Sequence, residues 1–231
     1  MDDEGIAFST TVFSVDVAGL AVHANPVPNV IMGVRGSLTV VSATERVSGD
    51  ILFIRPGVEH KVHCGPGGFT VVYLDGLHYP DTGPFARRLE RDEEQIAVDT
   101  LLQKSGAVRE LRMRLMPEPN SVPDRLVSII ADMISEPMTR MTQLELAERL
   151  QLERTTALRT FKAATGQTFR RFKQWSALQH AARLIAQGEL VRTAAMDAGF
   201  ADTAHLSRTF RASFGLSPAE AIAGQGRAAS A

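Results

Sequence analysis

Between Arg154 and Lys173 the chain places six basic side chains and no acidic one. A run of like charge repels itself unless a polyanion faces it, so the chemistry this stretch suits is phosphate contact. The imbalance is local. Residues 136–231 hold 13 Lys and Arg against 8 Asp and Glu, whereas residues 1–80 hold 4 against 8. An acidic front and a basic back point to nucleic acid as a partner of the C-terminal part alone, although the net charge of the whole is -1. Cys64 is the single cysteine, which excludes an intramolecular disulfide and a cysteine-built zinc cluster.

These residues need elements to position them. With 231 residues, 44% of them hydrophobic, the chain is long enough for two small domains. Short runs rich in Val, Ile, Phe and Thr predict strands over Ile6–Val17, Leu20–His23, Val30–Val34, Ser37–Ser42, Asp50–Ile54, His60–Cys64 and Phe69–Leu74, a compact β-barrel over residues 1–83. Charged helix formers follow. Phe85, Leu89, Ile96, Leu101 and Leu102 predict one helix and Val108, Leu111 and Leu115 a second, a hairpin over 84–116 that packs on the barrel or on another subunit. The Pro-rich residues 117–123 read as a linker, residues 124–222 as all helix, and 223–231 as a frayed tail. Thr142 and Glu145 form a capping-box pattern that starts a helix at Gln143. The fold class is therefore α+β in two domains.

Within the helical part, two short helix pairs with tight turns flank one long helix of about 20 residues, Thr168–Gln187. This is a duplicated helix-turn-helix. Leu144, Ala147 and Leu150 form the core of the first supporting helix, followed by a helix with Arg154, Arg159 and Lys162. Val191, Ala194 and Ala195 support a helix with Arg208 and Arg211. Small supporting residues let two helices cross closely, and the polar outer face of the second then enters a major groove. The run from Gly199 to Pro218, with MTQLELAERL and Phe161–Gly166 upstream, resembles the signature of AraC-type transcriptional regulators. That resemblance implies a bipartite DNA-binding domain with recognition helices in successive major grooves. Its base-facing positions are Thr155, Leu158 and Arg159 in the first helix and Thr203, Ser207 and Arg208 in the second, with Lys162 and Arg211 on phosphate. Three departures weaken the first motif: Gln151 stands where glycine is usual, Glu153 where serine is, and Ala157 where a larger apolar residue packs. Leu158 faces either thymine methyls or the core. His205, Trp175 and the phenylalanines read as core.

In the N-terminal part, Gly49-Asp-Ile-Leu-Phe-Ile-Arg-Pro-Gly57-Val-Glu-His60 is similar to a cupin second motif with one extra residue before the proline, and His23, Asn25, Asn29 and Gly36 frame the first. Metal-binding cupins put histidines and a carboxylate at those positions, and two amides here make a poor site, so no metal and no other cofactor is expected. A small-molecule pocket in the barrel mouth is the alternative use. His23, Arg35, Arg55, His60, His63 and Tyr73 are its candidate lining, and two arginines would suit an anionic effector. Arg55 and His63 read equally well as outward-facing residues of alternating strands. Arg87 and Arg91 form either a phosphate clamp or a salt-bridged helix face.

The expected function is a sequence-specific transcriptional regulator responding to an effector in the cupin-like domain, with operator DNA, a homodimer mate and, for an activator, RNA polymerase as partners. A constitutive DNA binder whose barrel is filled and apolar is the alternative, and a metal-dependent cupin enzyme ranks below both, so no catalytic residue is assigned. A start of Met-Asp-Asp-Glu-Gly and the lack of a long apolar stretch set the expectation of a cytoplasmic protein away from the membrane.

Overall fold

A computed structural model describes residues 12–75, 79, 83–104, 106–116, 122–135 and 141–228. The N-terminal part is two antiparallel sheets. The first is built from β1 (Val12–Val15), β3 (Asn29–Gly33), β6 (Ile51–Ile54), β8 (Phe69–Tyr73) and β9 (Ala86–Arg88), in the order β1-β8-β3-β6-β9. The second holds β2 (Gly19–His23), β4 (Leu38–Ser42), β5 (Arg46–Gly49) and β7 (His60–His63), in the order β2-β7-β4-β5. β6 and β8 are buried along their whole length, which is why they read as unbroken apolar runs instead of alternating ones. One face, through Ile31, Leu52, Ile54 and Val71, meets Leu38, Val40 and Val62 of the second sheet. The opposite face, through Val30, Phe53, Val72 and Leu74, is covered by a helical hairpin of α1 (Arg91–Leu101) and α2 (Ala107–Leu115), whose Ala97, Leu101, Leu111 and Leu115 complete a second core.

The expected closed barrel is corrected to two open sheets. A barrel removes its edges by closure. Here one edge of each sheet is occupied by the C-terminal part instead: Ala21 N–H of edge strand β2 donates to Gly215 O at 2.8 Å, Ala24 N–H just after it to Ala212 O at 3.2 Å, and Asp16 N–H just after edge strand β1 to Gly224 O at 3.2 Å. Phe85 to Arg88, expected to begin the hairpin's first helix, instead lead into and form β9 on the other edge of the first sheet. Its Arg87 makes a two-pronged ion pair with Glu93 at 2.7 and 2.9 Å, a fixed structural role for one of the two arginines of the suggested clamp.

The rest of the chain is helical: α3 (Asp124–Ser135), α4 (Gln143–Leu150), α5 (Arg154–Thr165), α6 (Phe169–Ala186), α7 (Val191–Asp197), α8 (Thr203–Phe214) and α9 (Pro218–Ala228). Most of the expected linker, residues 117–121, lies outside the described residues, as does Ile6 to Thr11 of the first expected strand. α9 runs on past Ala223, where the sequence reading expects fraying, because it lies along β1 and buries Ala221. Two separate cores serve this half. Leu126, Ile130, Leu146, Phe161, Phe169 and Phe172 join α3, α4, α5 and the start of α6. The remainder of α6, with Trp175, Leu178, Ala182 and Ile185, joins α7, α8 and α9 in a core that is continuous with the inter-sheet core.

Candidate nucleic-acid interface

Both helix-turn-helix units start from local chemistry. In the first, Thr142 Oγ1 accepts from Glu145 N–H at 3.1 Å while Thr142 N–H donates to Glu145 Oε2 at 2.5 Å, the reciprocal cap that begins α4. α4 ends at Gln151, held at φ 55. This is the left-handed position for which glycine is the usual residue, and Gln151 is kept there by its side-chain hydrogen bond from Arg125 and by two backbone bonds to Ala147 O and Glu148 O. Leu146, Ala147 and Leu150 are the buried face of α4. Leu144 is 68% exposed, one position out of phase with the core assigned to it from the sequence. α5 crosses α4 closely because Ala157 is fully buried between them, and Phe161 packs edge-on against Phe169 and Phe172. In the second unit Ala194 and Ala195 provide the close crossing, and Asp202 Oδ1 caps α8 by accepting from His205 N–H at 2.6 Å.

The outer faces carry the candidate readers. Thr155, Arg159 and Lys162 are exposed on α5, and Leu158 is half-buried with its side chain against the first core. Thr203 and Arg208 are exposed on α8, and Ser207 is half-buried with its hydroxyl donating to Thr203 O at 2.8 Å. Among the described residues, Arg159, Lys162 and Arg208 have no carboxylate partner, so their charge is open to an incoming anion. Arg211 differs: its Nη2 holds Glu220 Oε2 at 2.7 Å, in a cluster with Ser217 that closes the turn into α9. Arg170 and Arg192, at the first turns of α6 and α7, are further exposed cations that periodicity did not single out. The single helix α6 fixes the spacing of the two units. Its 18 residues span about 27 Å, comparable to the ~34 Å repeat of the major groove.

The second unit is fastened to the sheets by buried polar contacts that no local pattern announces. Trp175 Nε1 donates to Asp75 Oδ1 at 2.5 Å, and Gln179 Nε2 to Asp75 Oδ2 at 2.8 Å. Burial raises the Asp75 carboxyl to about 6, against the pull of the Trp175 hydrogen bond and of Arg112. Asn25 Nδ2 donates to Ser213 O at 2.6 Å, and Asn25 Oδ1 accepts from Asn29 Nδ2 at 3.0 Å. His23 and His60 pack ring on ring with centroids 4.4 Å apart, each bonded through Nδ1 to a backbone carbonyl, of Ala21 and Val58. Burial, and for His23 also the neighbouring His60, push both below the usual imidazole range, His23 to about 3. Both rings are therefore neutral at pH 7.

The six residues assigned to an effector pocket are not gathered at one mouth. His23 and His60 form the tilted ring pair beside the turn after α8, and Tyr73 is buried among Phe13, Trp175 and Phe214. Arg35 and His63 are exposed. Arg55 lines a cleft of about 430 Å³ between the sheets and the first helix-turn-helix. No group of three His, Cys, Asp or Glu side chains gathers as metal ligands among the described residues, and no helix there is long and apolar enough to cross a membrane.

Two helix-turn-helix units held at fixed spacing by one continuous helix define the class of a bipartite DNA-binding protein. Residues 146–223 match the helix-turn-helix domain family, and with the Gly199 to Pro218 signature the chain carries an AraC-type helix-turn-helix domain. A 97-residue segment, 42% of this chain, is 33% identical to the HTH-type transcriptional regulator CdhR of Pseudomonas aeruginosa, and it spans only 29% of that protein's length. The fold of the whole chain is similar to ToxT from Vibrio cholerae. A structure of ToxT bound to (E)-4-(8-methylnaphthalen-1-yl)but-3-enoic acid superposes with a TM-score of 0.60 at 11% identity, covering 94% of this chain and 98% of that one. A ToxT structure bound to an unsaturated fatty acid superposes with a TM-score of 0.56 at 11% identity, over 97% of this chain and 98% of that one.

Proposed function

We propose that this protein is a sequence-specific DNA-binding transcriptional regulator that reads operator DNA with α5 and α8 and whose N-terminal sheets report a small molecule to them. The observation that carries the first half is the pair of exposed, carboxylate-free faces, Thr155, Arg159 and Lys162 on one recognition helix and Thr203 and Arg208 on the other, joined by α6. Arg159 and Arg208 fork onto guanine, Thr155, Thr203 and Ser207 take base edges or phosphates, Leu158 offers its half-exposed side to thymine methyls, and Lys162 and Arg211 hold phosphate. Arg211 must share itself between DNA and Glu220, so its contribution is the smaller of the two phosphate contacts.

The effector half is supported by the continuity of the sheet core with the core of the second unit, and by the small carboxylic acids that occupy ToxT. One observation favours the constitutive reading: the space between the sheets is filled, with Leu38, Val40, Leu52 and Val62 each fully buried. An effector therefore binds between domains, not inside the sheets. A homodimer would use the outer side of the hairpin, where Leu102 and Met113 are exposed, and RNA polymerase is a further partner if regulation is positive.

Fluorescence anisotropy of the full chain on double-stranded DNA, using a site selected from a random pool, tests the reading. Arg159→Ala and Arg208→Ala should each weaken the selected site by about 1–3 kcal/mol and relax selectivity at separate positions. Lys162→Ala should weaken selected and random DNA alike and reduce the salt slope by about 1. Binding that is indifferent to Arg159 and Arg208 contradicts the assignment.

A further inference from the structure

We infer that Asp75 is a positioning residue for DNA reading: its buried carboxylate, gripped by Trp175 and Gln179, holds α6 against the sheets in the pose that presents α5 and α8 together to a two-segment site. This rests on the reading of α5 and α8 as the recognition helices. Asp75 follows β8 at the seam where Tyr73 joins the core shared with the second unit and Leu74 the core covered by the hairpin. Trp175 and Gln179 lie one turn apart on one face of α6. Their N–H groups reach the two oxygens of the same carboxylate, at 2.5 and 2.8 Å, so together they fix both the rotation of the helix and its slide along its axis. A single bond would leave a pivot. Arg112 of α2 and Arg183 of α6 face the same group and offset its charge. Even so, burying a carboxylate costs free energy that an apolar side chain of similar volume would not, so packing alone does not account for an acid here. What the acid supplies is two acceptors at a fixed angle.

The grip matters to reading because α8 packs more extensively on β2 than on α6. Its C-terminal end is bonded to the second sheet and the residues just after β2, with Gly215 O accepting from Ala21 N–H, Ala212 O from Ala24 N–H and Ser213 O from Asn25 Nδ2. α6 is bonded to the end of β8 in the first sheet through Asp75, while its first turns, with Phe169 and Phe172, belong to the core that carries α5. Trp175 marks the point where α6 passes from that core into the other. The sheets therefore act as a jig: one set of bonds places α8, and the other places α6 and with it α5. Two readers act as a bivalent unit only while that relation holds, since the second contact is intramolecular only in a pose that reaches both segments.

The test titrates the full chain, by fluorescence anisotropy, onto a selected two-segment site and onto the same duplex with one segment scrambled. Asp75→Ala should weaken the two-segment site about tenfold or more and the scrambled one less than about twofold. Asp75→Asn should stay within about threefold of the parent on both, because its oxygen can accept from Trp175 and its amide can donate to Gln179 Oε1, a buried acceptor otherwise without a partner among the described residues. Gln179→Met, which keeps the length and removes the donor, should weaken the two-segment site in the same selective way, about threefold or more. Trp175 is the single tryptophan, so its indole N–H gives one resonance in a proton–nitrogen correlation spectrum, and this should move upfield in Asp75→Ala as the bond to the carboxylate is lost. Parent-like affinity of Asp75→Ala or Gln179→Met for the two-segment site, an equal loss on both duplexes, Asp75→Asn as weak as Asp75→Ala, or an unmoved indole resonance overturns the inference. A parent chain that binds neither duplex while its indole resonance responds to Asp75→Ala refutes the regulator reading and not the junction.

Discussion

Substituting Gly215 tests how tightly the second recognition helix is docked on the sheets. Gly215 ends α8 at φ 74, and its carbonyl accepts from Ala21 N–H. A Cβ added there would lie 2.6 Å from His23 Nδ1, 2.8 Å from Ala21 O and 2.8 Å from Leu20 Cβ. None of these can retreat freely: Ala21 O is backbone, and the His23 ring is held by its bond to that carbonyl and by His60 behind it. Gly199 is the internal reference, at φ 77 with nothing within 4 Å of its added Cβ. Both alanine variants incur the left-handed penalty of about 1–2 kcal/mol. Only Gly215→Ala adds overpacking, about 1–3 kcal/mol more. For a chain of this size each kcal/mol moves the melting temperature by roughly 2–4 °C, so Gly199→Ala should melt ~2–8 °C low and Gly215→Ala a further ~2–12 °C lower. Calorimetry reads both, and His23→Ala placed in the Gly215→Ala background should restore part of the extra loss. Equal melting of the two single variants refutes the docked arrangement.

Acid response follows from two buried groups of opposite sign. His23, held near 3 in the folded chain against an ordinary 6.5, leaves the unfolded state binding more protons, so stability falls by up to about 1.4 kcal/mol per unit as pH drops below 6.5. Asp75, held near 6 against an ordinary 3.8, works the other way: the folded state binds the extra proton, and stability falls as pH rises from 4 to 6. The two slopes offset one another over that window. Asp75→Asn should therefore make urea midpoints fall more steeply with acid than in the parent, and an unchanged pH profile contradicts the burial of Asp75. Gln151→Gly should raise the melting temperature by the equivalent of about 0.5–1 kcal/mol, since it relieves a left-handed non-glycine residue at the loss of one exposed hydrogen bond. A lower melting temperature would mean that the Arg125 contact outweighs the strain. Phe214→Ala should cost about 3–5 kcal/mol, because the ring packs against Phe13, Tyr73, Trp175 and Phe210 at once; a loss below 1 kcal/mol in urea unfolding would show that this seam is loosely packed.

What was legible in the sequence is what local chemistry determines. Thr142 and Glu145 announce the start of α4, Ala194 and Ala195 announce the close crossing in the second unit, and Gln151 stands out because a left-handed turn is required where it sits. β5 and β9 escaped notice because Arg46-Val-Ser-Gly and Ala86-Arg-Arg lack the alternation of a half-buried strand; both are short strands at sheet edges. The docking of the second unit was beyond reach. Trp175 meets Asp75 across 100 positions, and Asn25 meets Ser213 across 188, so no window of sequence contains both partners. The same limit explains the scattered effector candidates: strand alternation turned His63 outward, while His23, with His60 beside it, is covered by a turn from the far end of the chain. Arg55 and Arg171 come to line one cleft only through folding.

The most direct test is the spacing of the operator. Hydroxyl-radical footprinting of the full chain on a selected site should show two protected segments on one face of the duplex, about one helical turn apart, one weakened by Arg159→Ala and the other by Arg208→Ala. Inserting five base pairs between them should reduce affinity to that of a chain lacking one reader, because α6 holds the two recognition helices at a single separation. Affinity unchanged by the insertion, or a footprint confined to one segment, would contradict bipartite recognition.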